Sequence, residues 1–463
     1  MSIRILQTQT TADEPVKSAD VMAIKDLLRR GALVAAGEVR DDTPGVVRNI
    51  IDQVARRGDE AVIELTERID GIRLAKADLS VSADRIAKAH KEADPEFLAL
   101  ARRVIANIRS YQQHIMVKTP PDLVRGGRRL GVRYTPMDSV GVYVPGRKAI
   151  YPSSVLMTVV PAQVAGVKDI VIAAPPTADA VNDMTLALAA ELEIDTVYRV
   201  GGAIAVAALA IGTESIDAVQ MVAGPGNAYV AEAKMQVCGR VAIDSPAGAS
   251  EVLIIADDSA DPAWLAADML AQAEHNPASS VMVTDSLALA EAVQKQMDSQ
   301  VSKLERSNEI RHAIDHYSAI IVVRTMRFAC ELANYFAPEH LQIVTRNDGD
   351  ALSRIRHAGA VFLGANTPVP LGDYVAGPSH VLPTRGRSRQ FSALSVNSFL
   401  TASSVLSYDA EALAADAADV QAFAAYEGLT AHAAAVEVRL GKQVKSPEMT
   451  PEAAEKDKNR RKK

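Results

Sequence analysis

VGVYV at Val140–Val144, DIVIA at Asp169–Ala173, TVYRV at Thr196–Val200 and AVQMV at Ala218–Val222 are short β-branched runs set between Ala-rich stretches. A parallel strand can be reached only through a crossover long enough for a helix, so this alternation predicts βαβ units around a parallel sheet. A second set follows, with strands expected at Glu251–Ala256, Ser280–Thr284, Ala319–Val323, Leu341–Val344 and Gly359–Leu363. The reading is an α/β protein of two tandem Rossmann-like units. Upstream, from about Val21 to Ser110, apolar residues recur at helical spacing, as in Val46, Ile50, Ile51 and Val54 and then Ala61, Val62 and Leu65, which predicts a helical N-terminal layer. Beyond about Phe399 the Ala-rich chain reads as a small helical extension, amphipathic over Glu427–Leu440 and too short to form a core of its own.

A chain of 463 residues exceeds what one core normally supports. Its 48% hydrophobic and 23% charged residues are those of an ordinary globular protein. No signal-like apolar run opens the chain and none long enough to span a bilayer follows, so a cytoplasmic protein is expected. A net charge of −7 provides no field for nucleic acid, and 4% aromatics leave little for base stacking. Cys238 and Cys330 lack CxxC spacing, which argues against a disulfide framework or a thiolate metal site and predicts two inert core thiols.

Neither unit carries GxGxxG after a strand, so a nucleotide site must use other loops. Gly201-Gly202 and Gly224-Pro225-Gly226-Asn227 are available, either as phosphate cradles or as plain strand-to-helix turns. A helix from about Trp264 places Gln272 and His275 three apart on one face, as two potential metal ligands or as a polar stripe. Glu339-His340 stands just before a strand, where a carboxylate and an imidazole can move protons near neutral pH. In Gly372-Asp373-Tyr374 and Gly377-Pro378-Ser379-His380 the glycine and proline content predicts a shaped loop rather than a helix, with Asp373 a turn cap or a ligand.

Taken in order, Val140-Gly-Val-Tyr-Val-Pro-Gly146, Tyr151-Pro-Ser-Ser-Val-Leu-Met157, Gly224-Pro-Gly-Asn227, Gln272-Ala-Glu-His275, Ala337-Pro-Glu-His-Leu341, Gly372-Asp-Tyr374, His380-Val-Leu-Pro-Thr384 and Glu427-Gly-Leu-Thr-Ala-His432 resemble the motifs of histidinol dehydrogenases from roughly Val21 to Leu440. The resemblance implies a dehydrogenase that uses Zn2+ and NAD to oxidise a primary alcohol through an aldehyde to a carboxylate. It implies one zinc per site on Gln272, His275, Asp373 and His432, an acid–base pair in Glu339 and His340, NAD contacts from Tyr143 and Asn227, and substrate contacts from Ser250, His380 and Glu427. It also implies a homodimer with shared sites. The expected organisation is an arm over 1–38 with 395–423, a metal and catalytic unit from 39–142 plus 250–394, and an NAD unit over 143–249. A helical segment over 424–447 reaches the partner subunit, and a basic tail fills 448–463.

The departures bear on the substrate. A cofactor-contacting Gln of the family is replaced by Ile204, and the glutamate that faces the substrate's ammonium group by Val369. Small residues give way to Arg147, Arg385 and Arg387, and arginine is suited to oxyanions because its fork of donors binds two oxygens together. The expectation is therefore an anionic substrate, as in the family's sulfopropanediol dehydrogenase branch, which oxidises 2,3-dihydroxypropane-1-sulfonate to sulfolactate. The alternatives are L-histidinol itself, another alcohol, or a non-catalytic metal-binding protein of the same fold.

Overall fold

In a computed structural model of the chain, the described residues are 3–8, 42–146, 151–275 and 278–441. Arg147, the 1–38 arm apart from 3–8, and the 448–463 tail lie outside them. The chain divides into two units: Met1–Val117 with Pro136–Leu400, and Lys118–Thr135 with Thr401–Lys463.

The larger unit holds two sheets. In the first, six parallel strands run in the order Arg4–Gln7, Ala319–Val322, Ala278–Thr284, Ser250–Ala256, His340–Val344, Ala360–Leu363. In the second, five parallel strands run in the order Val197–Tyr198, Asp169–Ala173, Ser139–Tyr143, Met221–Ala223, Ala242–Ile243. Apart from the edge strand Arg4–Gln7, each sheet starts at an inner strand, extends to one side and then reverses, which creates a switch point where two neighbouring crossovers lead away from each other. The switch points fall between Ser250–Ala256 and His340–Val344 and between Ser139–Tyr143 and Met221–Ala223. Both sheets are covered on their two faces, so their inner strands are buried rather than alternating: Ala278–Thr284 is buried throughout, its hydroxyl residues included.

The predicted helical layer is present as Thr43–Arg57, Asp59–Asp70, Ala83–Glu92 and Pro95–Ile115. Val47, Ile50, Val54 and Leu65 pack with Val206, Leu209, Val222 and Val230, so the first two of these helices cover one face of the second sheet. Ile86, Val104 and Ile108 join the core on its other face. No helix among the described residues is long and apolar enough to cross a membrane.

Several expectations are corrected. The chain beyond Phe399 is not purely helical: Leu400–Tyr408 is a strand, and with Leu123–Arg125 and Arg128–Pro136 it forms a three-stranded sheet before the helices Ala410–Tyr426 and Thr430–Arg439. Its residues are almost all exposed, so no core-facing alternation marks it. Val369–Tyr374 is a short helix, not a loop, because Pro370 falls in its first turn, where a missing N–H costs nothing. Cys238 is exposed; only Cys330 is a core thiol, and burial pushes its pKa up to about 11.

Candidate active site

The helix Met326–Phe336 ends on Ala337, which adopts a left-handed conformation (φ 49°), and Pro338 then prevents any return to helix. This delivers Glu339 and His340 to the amino end of the strand His340–Val344, beside Ser250 and Glu251 at the amino end of the neighbouring strand. The two strands meet at the first switch point, though at the end opposite to the one ligands usually occupy in open parallel sheets.

Glu339 and His340 are buried. The Glu339 carboxylate accepts hydrogen bonds at Oε2 from Ser250 Oγ (2.8 Å) and from the Glu251 backbone N–H (2.8 Å). In return, the Glu339 backbone N–H donates to Glu251 Oε1 at 3.3 Å, and the Arg385 backbone N–H donates to the same oxygen at 3.0 Å. His340 Nδ1 lies 3.1 Å from the Glu251 carbonyl, which can only accept, so this nitrogen carries a proton. In the neutral ring Nε2 then holds the lone pair; it has no hydrogen-bond partner and sits 3.6 Å from Asp373 Oδ1.

These groups perturb one another. Burial raises the Glu339 pKa, and burial together with the Glu339 charge lifts Glu251 to about 7. Burial would depress His340, but the carboxylates of Glu339 and Asp373 outweigh it and hold the imidazolium up to about 9. Burial opposes ionisation of Asp373 as well, yet His340, followed by His380 and His275, keeps it below the ordinary carboxylate range.

Gln272 projects from the last turn of the helix Pro262–Ala273, which begins at Pro262 with the Asp261 carboxylate accepting from the N–H groups of Ala263 and Trp264; His275 lies two residues past the helix end rather than on its face as expected. Gln272 Nε2 donates to Ser250 Oγ at 2.8 Å, which leaves its amide oxygen for another partner. Burial pushes the His275 pKa down, and the nearby Asp373 carboxylate opposes that shift. Asp373 ends the short helix Val369–Tyr374; a Cβ on Gly372 would lie 2.7 Å from the Phe362 ring, so glycine lets the helix seat against the strand Ala360–Leu363. Asp373's carbonyl accepts from His380 Nδ1 at 2.9 Å, and His380 Nε2 lies 3.4 Å from Ser154 Oγ.

A neutral imidazole, an ionised carboxylate and an amide oxygen form a nitrogen–oxygen donor set suited to Zn2+. Among the described residues, no group of three or more His, Cys, Asp or Glu side chains is gathered to hold a metal. His432 and Glu427 belong to the smaller unit, where both are exposed.

At the second switch point, Tyr143 closes its strand and Gly224-Pro225-Gly226-Asn227 follows the neighbouring one, both at carboxyl ends. The Tyr143 hydroxyl accepts from the Gly202 N–H at 3.3 Å. Ile204 is a buried core residue of the helix Gly202–Ile211.

A family model described as histidinol dehydrogenase matches residues 35–440. The chain belongs to the histidinol dehydrogenase family. It is 47% identical over 395 residues to the histidinol dehydrogenase of Rhodopirellula baltica, covering 85% of this chain and 86% of that protein. It is also 47% identical over 398 residues to that of Geobacillus kaustophilus, covering 86% and 93%. The crystal structure of histidinol dehydrogenase from Elizabethkingia anophelis superposes with a TM-score of 0.86 at 30% identity, covering 95% of this chain and 98% of that one. These relatives are all histidinol dehydrogenases, so the expected lean towards the sulfopropanediol branch draws no support from them.

The arginines that prompted that lean are only partly available to a ligand. Arg387 Nη1 donates to the Pro246 carbonyl at 2.5 Å. Arg385, in a left-handed conformation (φ 58°), lays its guanidinium against Gly248, where a Cβ would lie 2.6 Å from Nε, and that Nε has no partner. Val369 is buried in the core one turn before Asp373. Sequence reading missed Glu251, whose contribution is largely through its main chain, and Ser154, although its Tyr-Pro-Ser-Ser motif was in view.

Proposed function

We propose that this family member oxidises a primary alcohol through an aldehyde to a carboxylate with two NAD+ and one water, and that L-histidinol is its substrate. The observation that carries the chemistry is His340: its Nδ1–H is tied to the Glu251 carbonyl beside the Glu339 carboxylate, and its Nε2, without a hydrogen-bond partner, stands 3.6 Å from Asp373 Oδ1. With the Asp373 charge engaged by a metal, His340 would be released to the neutral form, and its Nε2 would take the hydroxyl proton; NAD+, when bound, would supply the hydride acceptor. Glu339, with Oε2 occupied by two donors, uses its other oxygen to take a proton from the water that attacks the aldehyde. Gln272, His275 and Asp373 would hold a zinc ion, which when bound supplies Lewis acidity at the alcohol oxygen and offsets the Asp373 charge. Tyr143 and Asn227, at the carboxyl ends of the second sheet, are assigned to NAD because dinucleotides bind at such switch points. The histidinol relatives at 47% identity support the substrate.

A second reading is an anionic diol such as 2,3-dihydroxypropane-1-sulfonate. Val369 favours it, since a buried valine gives an ammonium group no counter-ion, and so does Arg385 with its unpartnered Nε. The deciding experiment compares kcat/KM for NADH formation from the two alcohols. A faster sulfonate, slowed by Arg385→Ala, replaces the histidinol reading; a faster histidinol retires the second.

The reading includes a homodimer in which Glu427 and His432 complete the partner's site. The smaller unit presents Phe423 and Tyr426 at 71% and 92% exposure, an apolar surface that a second copy would cover. Mixing inactive His340→Ala and His432→Ala subunits should restore activity after subunit exchange; no recovery would count against shared sites.

A further inference from the structure

Beneath the Gly224-Pro225-Gly226-Asn227 turn lies a charged pair with no part in the chemistry above. Lys234, on the helix Ala228–Val237, forms an ion pair with Asp244, and their side chains are only 1% and 2% exposed. Taking two charges out of water is costly, and an apolar pair of similar volume commonly serves stability as well or better. Both partners also bind one peptide unit's worth of backbone. Lys234 Nζ donates to the Gly224 carbonyl at 2.9 Å, and Asp244 Oδ2 accepts from the Gly224 N–H at 2.8 Å.

Gly224 is a residue whose conformation needs such control. Its φ is +121°, and a Cβ there would stand 2.1 Å from the Tyr143 carbonyl oxygen, so the turn is pressed against the end of the neighbouring strand. Three residues on, Asn227 caps the helix by accepting from the N–H groups of Tyr229 and Val230 at 3.0 and 3.1 Å. The ion pair therefore sets the start of the turn and the cap sets its end.

We propose that Lys234 and Asp244 are positioning residues for the dinucleotide: together they hold the Gly224–Asn227 turn in the shape that receives NAD. The inference rests on the assignment of this turn to the cofactor. Each charged group grips Gly224 from one side, so neutralising both frees the turn without opening a cavity large enough to unfold the sheet.

The test is NAD titration of the zinc-loaded full-length protein with Lys234→Met and Asp244→Leu combined, together with steady-state kinetics and a thermal melt. The expected result is a cooperative melt at a lower temperature, since the buried Gly224 N–H and carbonyl lose their partners, together with a Kd and KM for NAD raised roughly tenfold or more and an alcohol KM and a kcat at saturating NAD close to wild type. If the apolar pair prevents folding, Lys234→Gln with Asp244→Asn is measured in the same way. A folded double variant with wild-type NAD affinity overturns the proposal, because a pair serving stability alone leaves that affinity untouched. Asn227→Ser, which preserves the cap, separates the two levels: if it weakens NAD while the double variant does not, only the positioning role fails, and if it leaves NAD binding unchanged the assignment of the turn fails with it.

Discussion

Ser250→Ala probes the site at its most connected point. The Ser250 hydroxyl accepts from Gln272 Nε2 at 2.8 Å and donates to Glu339 Oε2 at 2.8 Å, so one atom joins the proposed metal-bearing helix to the proposed base. A hydrogen bond to a charged group contributes about 1.5–3 kcal/mol, and a buried amide left without its acceptor costs about 1–3 kcal/mol. The two losses share an atom and do not add in full. The Glu251 N–H still holds Glu339, so we expect a net loss of about 2–3 kcal/mol, divided between stability and catalysis. With 1.36 kcal/mol per tenfold, the catalytic share lowers kcat by roughly tenfold to a hundredfold. Steady-state kinetics with the alcohol and with the aldehyde, and a calorimetric melt, measure both shares. Ser250→Thr, which keeps the hydroxyl, should recover most of kcat. If Ser250→Ala raises only KM and leaves kcat intact, Ser250 is a substrate contact and the relay is refuted.

Glu339→Gln should slow the aldehyde step by about 10² to 10⁴ while sparing the first oxidation, since only the former needs activated water; equal slowing of both steps, seen by stopped-flow, contradicts that assignment. Chelation should abolish turnover and added Zn2+ restore it, and Asp373→Asn should lower bound zinc as measured by mass spectrometry. Asp59 provides a test away from the site. Burial alone would raise its pKa, but hydrogen bonds from Ser215 and Thr213 and the Lys76 ammonium bring it from 3.8 to about 2. A depressed carboxylate stabilises the fold fully above its unfolded pKa, here by about 2 kcal/mol, and the contribution disappears as the pH falls from about 4 towards 2. Asp59→Asn should flatten stability across that window in denaturant melts.

The parallel sheets were legible because their inner strands are buried on both faces: Asp169–Ala173 and Ser250–Ala256 read as apolar runs wherever they stand. The strands Leu123–Arg125 and Leu400–Tyr408 were not, since nearly every side chain in them meets water and leaves no pattern. Glu339, His340, Gln272, His275 and Asp373 were visible as chemically capable residues beside a helix or strand end. Their convergence depended on a switch point that local spacing cannot express. The arginines show the converse limit: Arg385 and Arg387 were conspicuous by type, but the distance from Arg387 to the Pro246 carbonyl is a property of two segments far apart in sequence.

Glu251 grips both members of the acid–base pair with its main chain, the N–H on Glu339 and the carbonyl on His340. Proline aside, which would also break the strand, no side-chain replacement at position 251 deletes either contact. A saturation-mutagenesis survey would therefore record only what the carboxyl contributes and would undervalue the position as a whole. Chemical ligation that exchanges the Glu251 amide nitrogen for an ester oxygen removes the first grip alone, without the ring that a proline would force into the strand, and would expose an architectural dependence that ordinary side-chain exchange leaves untouched.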